Sequence, residues 1–350
     1  MKIGIDIMGG DYAPVETVKG VLLAQEALQD DNTQFVLLGD KKVIEAELAK
    51  HNASGNFKII HTSEVIGMAD HPVKAVTKKQ DSSIVKGLGL LKENHLDGFA
   101  SAGNTGAIFV SSLYSVKNIP EVSRPALFSI VPQLTGGTSV ILDVGANSDC
   151  KPENLFEFGI LGSIYAKSIL GIENPRVGLM NIGEEEGKGN ILSQSAYKLM
   201  KGTEKFNFIG NVEPKNLFND TVDVMVCDGF TGNVVLKLTE GMFAGLKGLG
   251  FGSSDGSKQI FDAFNYENHG GTAILGLNAP VVIGHGVSKA GTIKNMLLQN
   301  GVDYLGLSEV PPLQAAVQPI RAGLVRVGLA GHRGSQERHA GQIQWIIVQF

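Results

Sequence analysis

The chain has 350 residues, 43% of them hydrophobic and 19% charged, with 45 glycines and a net charge of −5. That much apolar residue excludes global disorder, and the acidic balance excludes a nucleic-acid binder that works by neutralising phosphates. Two cysteines, Cys150 and Cys227, imply no disulfide framework and fit a reducing cytoplasm.

The opening MKIGIDIMGGDYAP lacks the apolar run of a signal peptide, and no stretch reaches the roughly 18 apolar residues that a spanning helix needs. The expectation is a cytoplasmic protein that at most lies on a membrane surface. Predicted strands, in chain order, are KIGIDI from Lys2, QFVLLGD from Gln34, FKIIHT from Phe57, DGFASA from Asp97, TSVILDVGA from Thr138, RVGLMNIG from Arg176, FNFIGNV from Phe206, VDVMVCDG from Val222 and PVVIGHG from Pro280. Helical spacing fills the gaps, as in VETVKGVLLAQEALQ and NLFEFGILGSIYAKSIL. Strands alternating with helices predict βαβ units and a largely parallel sheet covered on both faces. In such sheets ligands sit at the carboxyl ends of strands.

The run from Phe243 to Phe264 mixes apolar residues with glycine and serine and predicts an exposed, mobile loop. Its Phe243, Leu246, Leu249 and Phe251 either touch a membrane or lipidic substrate, or fold back on the core. Residues 1–300 hold 24 lysines, 21 asparagines and only two arginines, whereas residues 301–350 hold no lysine, no asparagine, four arginines and the single tryptophan. The reading is one α/β domain over 1–300. Residues 301–350 are read as a tail of different origin, expected to be poorly ordered and without function; the plainer reading is an ordinary C-terminal extension.

The strand ends carry the chemistry. In Asp6-Ile7-Met8-Gly9-Gly10-Asp11 the paired glycines let backbone approach a ligand, and the acids hold a helix start, a metal or a donor group. No G-x-G-x-x-G follows, so this is not a dinucleotide fingerprint. Ala100-Ser101-Ala102-Gly103-Asn104-Thr105-Gly106-Ala107 joins a strand to a helix whose N-terminus favours an anion, with phosphate the obvious candidate. The plainer reading is a tight turn capped by Thr105. Asp143 to Asn147 and Asp228 to Asn233 repeat the order strand, acid, glycine, asparagine. Asn233 can donate to an oxyanion, and three such strand ends in one sheet suggest a shared cleft.

Gly183-Glu184-Glu185-Glu186-Gly187-Lys188-Gly189-Asn190 sets a lysine between glycines beside three carboxylates. Lys188 is placed to meet a developing anion, although an acid run is commonly just a solvated face. His285, in Gly284-His285-Gly286, is read as a core, capping or catalytic histidine. Neither zinc spacing nor G-x-S-x-G occurs, and Cys227 reads as a buried inert thiol, so covalent catalysis is not favoured.

DIMGGDYAP, ASAGNTGA, SRPAL (Ser123 to Leu127), LDVGAN, RVGLMNIGEEEGKGN, NFIGNVE and VCDGFTGNVVLK, in this order, resemble the bacterial phosphate acyltransferase family from Met1 to about Asn300. The resemblance implies a three-layer α/β/α sandwich of the phosphotransacetylase and isocitrate dehydrogenase type. It implies transfer of a long-chain acyl group from acyl carrier protein to inorganic phosphate. The acyl phosphate would feed a membrane glycerol-3-phosphate acyltransferase in phospholipid synthesis. It further implies a homodimer and peripheral membrane contact, with no cofactor and no metal. By motif, Lys188 and Asn233 are the catalytic residues. Gly103, Asn104, Thr105, Gly106 and Arg124 face phosphate, and Asp6, Gly9, Gly10, Asn147, Asp228 and His285 complete the substrate-binding set.

Three departures stand out. The Leu236 to Asn268 interval is short, so membrane contact is expected to be weak or transient. The usual HGSSD reads His285-Gly286-Val287-Ser288-Lys289, and the final helix after Lys294-Asn295-Met296 gives way to the tail. Other enzyme and non-enzyme readings are a short-chain acyl-coenzyme A phosphotransacylase and a non-catalytic acyl- or phosphate-binding partner of a membrane acyltransferase. A metal-dependent dehydrogenase lacks an arginine-rich substrate site.

Overall fold

Runs of Val, Ile and Leu that end in Gly, Asp or Asn form strands here because both their faces are covered by helices. The computed structural model describes residues 1–28, 32–120, 122–251, 261, 264 and 270–308, with side chains described up to 299. The strands are β1 (Lys2–Asp6), β2 (Gln34–Gly39), β3 (Lys58–His61), β4 (Gly98–Ser101), β5 (Ala126–Pro132), β6 (Thr138–Leu142), β7 (Arg176–Met180), β8 (Asn207–Val212), β9 (Val224–Val226), β10 (Gly271–Leu275) and β11 (Val281–Gly284). The helices are α1 (Val15–Ala27), α2 (Lys41–Lys50), α3 (Pro72–Lys78), α4 (Ser83–Lys92), α5 (Thr105–Ser115), α6 (Pro152–Ser168), α7 (Ile191–Met200), α8 (Gly229–Gly248) and α9 (Ala290–Ser308).

The strands form one sheet in the order β3-β2-β1-β4-β11-β10-β5-β6-β9-β7-β8. One core cluster joins the sheet to α1, α2, α6, α7 and α9, through residues such as Val21, Leu48, Phe158, Met200 and Ile293. The other joins the opposite face to α3, α4, α5 and α8, through Val76, Leu88, Ile108 and the half-buried Leu236. The result is the expected three-layer α/β/α sandwich.

The nine predicted strands are all present, and β5 and β10 are additional. Both are antiparallel: β11 pairs β10, β10 pairs β5 and β5 pairs β6 in that sense, while the other pairings are parallel. The chain direction therefore flips three times across the middle. Strands β1, β4 and β11 point one way, and β6, β7 and β9 point the other.

Two expectations about the C-terminal third change. The apolar run from Phe243 does not begin as a loop, because α8 continues to Gly248. Phe243 lies half-buried and stacks on Phe264, ring centroids 3.8 Å apart at 15°. A helix also continues beyond Lys294-Asn295-Met296, since α9 runs to Ser308 and crosses the expected boundary at 300. Residues 309–350, most of the compositionally distinct tail, lie outside the described residues. Among the described residues, no helix is long and apolar enough to cross a membrane.

Candidate active site

At the carboxyl ends of β1, β4 and β11 the glycine-rich turns meet. Asp6 is buried and takes a hydrogen bond from the Ser101 hydroxyl at 2.7 Å and from the Met8 N–H at 3.0 Å. Burial pushes its carboxyl up, and bonds from Ser83, Ser101, Met8 and Gly9 only partly counter that. The Ser101 hydroxyl in turn accepts from the Gly103 N–H at 3.0 Å, so Asp6 braces the phosphate-candidate turn from behind. Asp6 is a support of this turn and has no open face for a ligand. Gly10 adopts φ 105°, and a side chain there would meet the Gly286 carbonyl, which also accepts from the Asp11 N–H at 2.7 Å. His285 stands at the same end, its Nε2 3.8 Å from a Glu240 carboxylate oxygen of α8.

The cap of α5 is Asn104, not Thr105. Its side chain accepts from the Ala107 N–H at 2.9 Å and donates to the carbonyls of Gly67, Met68 and Asp70. A buried asparagine so occupied locks the turn in place. The backbone N–H groups of Thr105 and Gly106 have no hydrogen-bond partner among the described residues, and the helix dipole adds to their attraction for an anion.

A second cluster occupies the carboxyl ends of β6 and β9. Asp143 is buried and accepts from the N–H groups of Gly145, Ala146 and Asn147 and from the Asn147 side chain. Burial nonetheless pushes its carboxyl up. Asn147 also donates to the Pro125 carbonyl at 2.8 Å, and its own carbonyl accepts from the Gly229 N–H. Asp228 caps α8 by accepting from the Thr231 N–H at 2.9 Å. At Gly232 a side chain would lie 1.9 Å from the Asp143 carbonyl, so only glycine lets α8 sit this close to β6. Asn233 projects from the next position, exposed, with its Oδ1 3.6 Å from where a Gly145 Cβ would be. Arg124, exposed just before β5, donates to the Asp149 carbonyl at 2.7 Å.

Lys188 belongs to a third loop on this same edge, after β7. Asn181 donates to the Lys188 carbonyl at 3.1 Å and to Asn211 at 3.0 Å, and Asn211 donates to the Glu185 carbonyl at 2.9 Å. Gln194 ties the carbonyls of Gly187 and Gly189. The backbone of the loop is thus clamped while the Lys188 side chain stays 48% exposed, its Nζ 3.9 Å from Glu185.

The structure therefore brings together Asp6, Gly9, Gly10, Gly103 to Gly106 and His285 at one end of the sheet. It brings together Arg124, Asn147, Asp228 and Asn233 at the other, with Lys188 along that edge. The expected convergence of all the strand ends in one cleft does not occur, because β10 and β5 turn the second half of the sheet around. Helix α8 bridges the two ends: Asn233 and Glu240 lie about 10 Å apart along it at 1.5 Å per residue. Glu240, Ser101 and the Asn181–Asn211 pair escaped the sequence reading. The only signal was polar residues at strand ends, and that signal does not separate a brace from a binding group. Cys227 is buried and its thiol is pushed well up by burial. The Cys150 thiol is pushed up to about 11, chiefly by burial, so neither offers a ready thiolate.

A family described as "Fatty acid synthesis protein" matches residues 1–301. A phosphate acyltransferase of Dictyoglomus turgidum is 46% identical over 312 residues, covering 85% of this chain and 92% of that protein. One of Clostridioides difficile is 42% identical over 314 residues, covering 85% and 91%. Among solved structures, a phosphotransacetylase from Streptococcus pyogenes superposes with a TM-score of 0.62 at 18% identity, covering 87% of this chain and 94% of that one. The EutD phosphotransacetylase from Staphylococcus aureus gives 0.58 at 17% identity, with the same two coverages. At these identities the two structures establish the fold.

Proposed function

We propose, on the premise that the chain belongs to the phosphate acyltransferase family and is an acyl-transfer enzyme, that its donor is a long-chain acyl group on acyl carrier protein. The acceptor is inorganic phosphate, and the acyl phosphate goes to a membrane glycerol-3-phosphate acyltransferase for phospholipid synthesis. The observation that carries this reading is the 46% identity to a phosphate acyltransferase across 85% of the chain.

Phosphate sits against the N–H groups of Thr105 and Gly106, on the turn formed by Gly103 and Asn104. It is a nucleophile at neutral pH without a strong base, and a thioester is a good acyl donor, so alignment and charge stabilisation are the protein's tasks. A phosphate oxygen bonds to the thioester carbonyl carbon, the carbonyl oxygen becomes an oxyanion, and collapse breaks the C–S bond. The carrier leaves as a thiolate that takes a proton from water. Lys188 and Asn233 hold the phosphate or the oxyanion, and Arg124 adds positive charge. These groups stand on the far half of the sheet, so the reading requires the two halves to close on the substrate.

The chain works as a homodimer that touches the membrane surface weakly. Support for the dimer is a row of exposed apolar residues at four-residue spacing along α8: Phe230, Val234, Leu238, Met242 and Leu246. Support for membrane contact is the exposed Leu249 and Phe251 at its end. The test of the donor is turnover of long-chain acyl carrier protein against acetyl-coenzyme A, each with phosphate. The reading fails if acetyl-coenzyme A is the better substrate.

A further inference from the structure

The loop that carries Lys188 is anchored on two buried asparagines. Asn181 follows the last residue of β7, and Asn211 belongs to the neighbouring strand β8. A single amide, that of Asn181, serves both limbs of the loop. Its Oδ1 accepts from the Ile182 N–H at 2.9 Å where the chain leaves the sheet, and its Nδ2 donates to the Lys188 carbonyl at 3.1 Å where the chain returns. The same Nδ2 donates to Asn211 Oδ1 at 3.0 Å, and Asn211 Nδ2 donates to the Glu185 carbonyl at 2.9 Å. That carbonyl also accepts from the Lys188 N–H at 3.0 Å, which closes a turn ending on the lysine.

The glycines of the loop divide by the same geometry. At Gly189 φ is 88°, and a side chain would lie 2.4 Å from Asn181 Oδ1, so only glycine lets the backbone after Lys188 rest against that amide. At Gly183 an added Cβ would meet Lys188 Cγ at 3.3 Å and Cδ at 3.5 Å, so the lysine stem runs across the bare face of Gly183. An added Cβ at Gly187 would meet no atom within 4 Å, although Gly187 is the residue next to the lysine in sequence. The Lys188 side chain is 48% exposed, so its main chain and stem are held while the ammonium stays open to a substrate.

We infer that Asn181, backed by Asn211, is a positioning residue for Lys188, and that Gly183 is the seat of the lysine stem. The inference rests on the reading above, in which Lys188 holds the phosphate or the oxyanion, and adds to it the groups that fix where the ammonium goes. Lysine carries its charge on a flexible four-carbon stem, and misplacing a catalytic group by about 1 Å costs on the order of a hundredfold in rate. Holding the main chain at Ile182, Glu185 and Lys188 and laying the stem on Gly183 leaves fewer bonds free to carry the charge away. An ionised aspartate at position 181 could not replace the amide, because it has no proton to give to the Lys188 carbonyl.

A double-mutant cycle tests this, with long-chain acyl carrier protein and phosphate as substrates. Asn181→Ala lowers kcat roughly tenfold, and Lys188→Ala lowers it further. In the Lys188→Ala background, Asn181→Ala costs less than about twofold, because no ammonium is left to position. Equal losses in both backgrounds, as a purely structural role would give, overturn the inference. Full turnover of Asn181→Ala beside an impaired Lys188→Ala also overturns it and leaves the catalytic role of the lysine standing. Full turnover of Lys188→Ala removes the lysine from the reaction, and the positioning role with it. Should Asn181→Ala not fold, two milder changes decide: Gly183→Ala lowers kcat several-fold and Gly187→Ala leaves it unchanged, whereas equal effects of the two overturn the inference.

Discussion

Asparagine is the residue on which the site turns, and its copies do different work. Asn104, Asn181 and Asn211 give their amides to neighbouring backbone and side chains, so their role is to hold loops still. Asn147 is likewise spent, on Asp143 and the Pro125 carbonyl. Asn233 has no side-chain hydrogen bond among the described residues and faces out beside Gly145, leaving both ends of its amide for a substrate. Replacing Asn233 by Ala should lower kcat about a hundredfold while the melting temperature stays put, and Lys188→Ala should behave alike. Asn147→Ala should instead leave a buried carboxylate short of a donor and cost about 1–3 kcal/mol of stability, read by urea unfolding. A reversed pattern, with Asn233→Ala destabilised and fully active, would remove that side chain from the chemistry.

At the scale of elements, most of the sheet could be read from runs of branched residues ending in Gly, Asp or Asn, because a strand buried on both faces has little choice of composition. Strands β5 and β10 resisted that reading. ALFSIVP carries Ser129 inside and Pro132 at its end, and GTAIL is five residues that begin on the second glycine of a pair, so neither shows a plain strand pattern. Their absence from the prediction also misplaced the site, since these two strands decide which strand ends are neighbours. Helix caps were only partly legible: Asn104, Asn190 and Asp228 cap α5, α7 and α8, and their capping role competes in sequence with a binding role. The starts of β7 and β9 are tied by Arg176, whose Nη2 lies 2.8 Å from Asp223 and 2.6 Å from Asp220. Burial would raise the Asp223 carboxyl, but Arg176 outweighs it and lowers it. A lowered carboxyl stabilises the fold above its unfolded pKa of about 3.9 and loses that contribution as pH falls through the folded value. Arg176→Met should therefore cost about 2 kcal/mol at pH 7, a value kept below that of fully buried pairs because the guanidinium is partly exposed. The difference should shrink at pH 3 in urea titrations, and a difference that is the same at both pH values would deny the pair its role.

Across the whole molecule, two half-sheets of opposite direction form one sheet crossed by α8, which runs from Asn233 to Glu240 beside His285. On the proposed homodimer the outer apolar row of this helix meets a second copy, so Leu238→Glu should convert a dimer to a monomer by light scattering; a variant that still runs as the unaltered chain would place the interface elsewhere. On the proposed function, these parts transfer a long acyl chain from a carrier thioester to phosphate. The direct measurement is mass spectrometry of the products formed by the purified chain from long-chain acyl carrier protein and inorganic phosphate. Acyl phosphate and free carrier thiol are expected in equal amounts; thioester left intact, or cleaved to free fatty acid with no acyl phosphate above the enzyme-free control, would rule out the transfer.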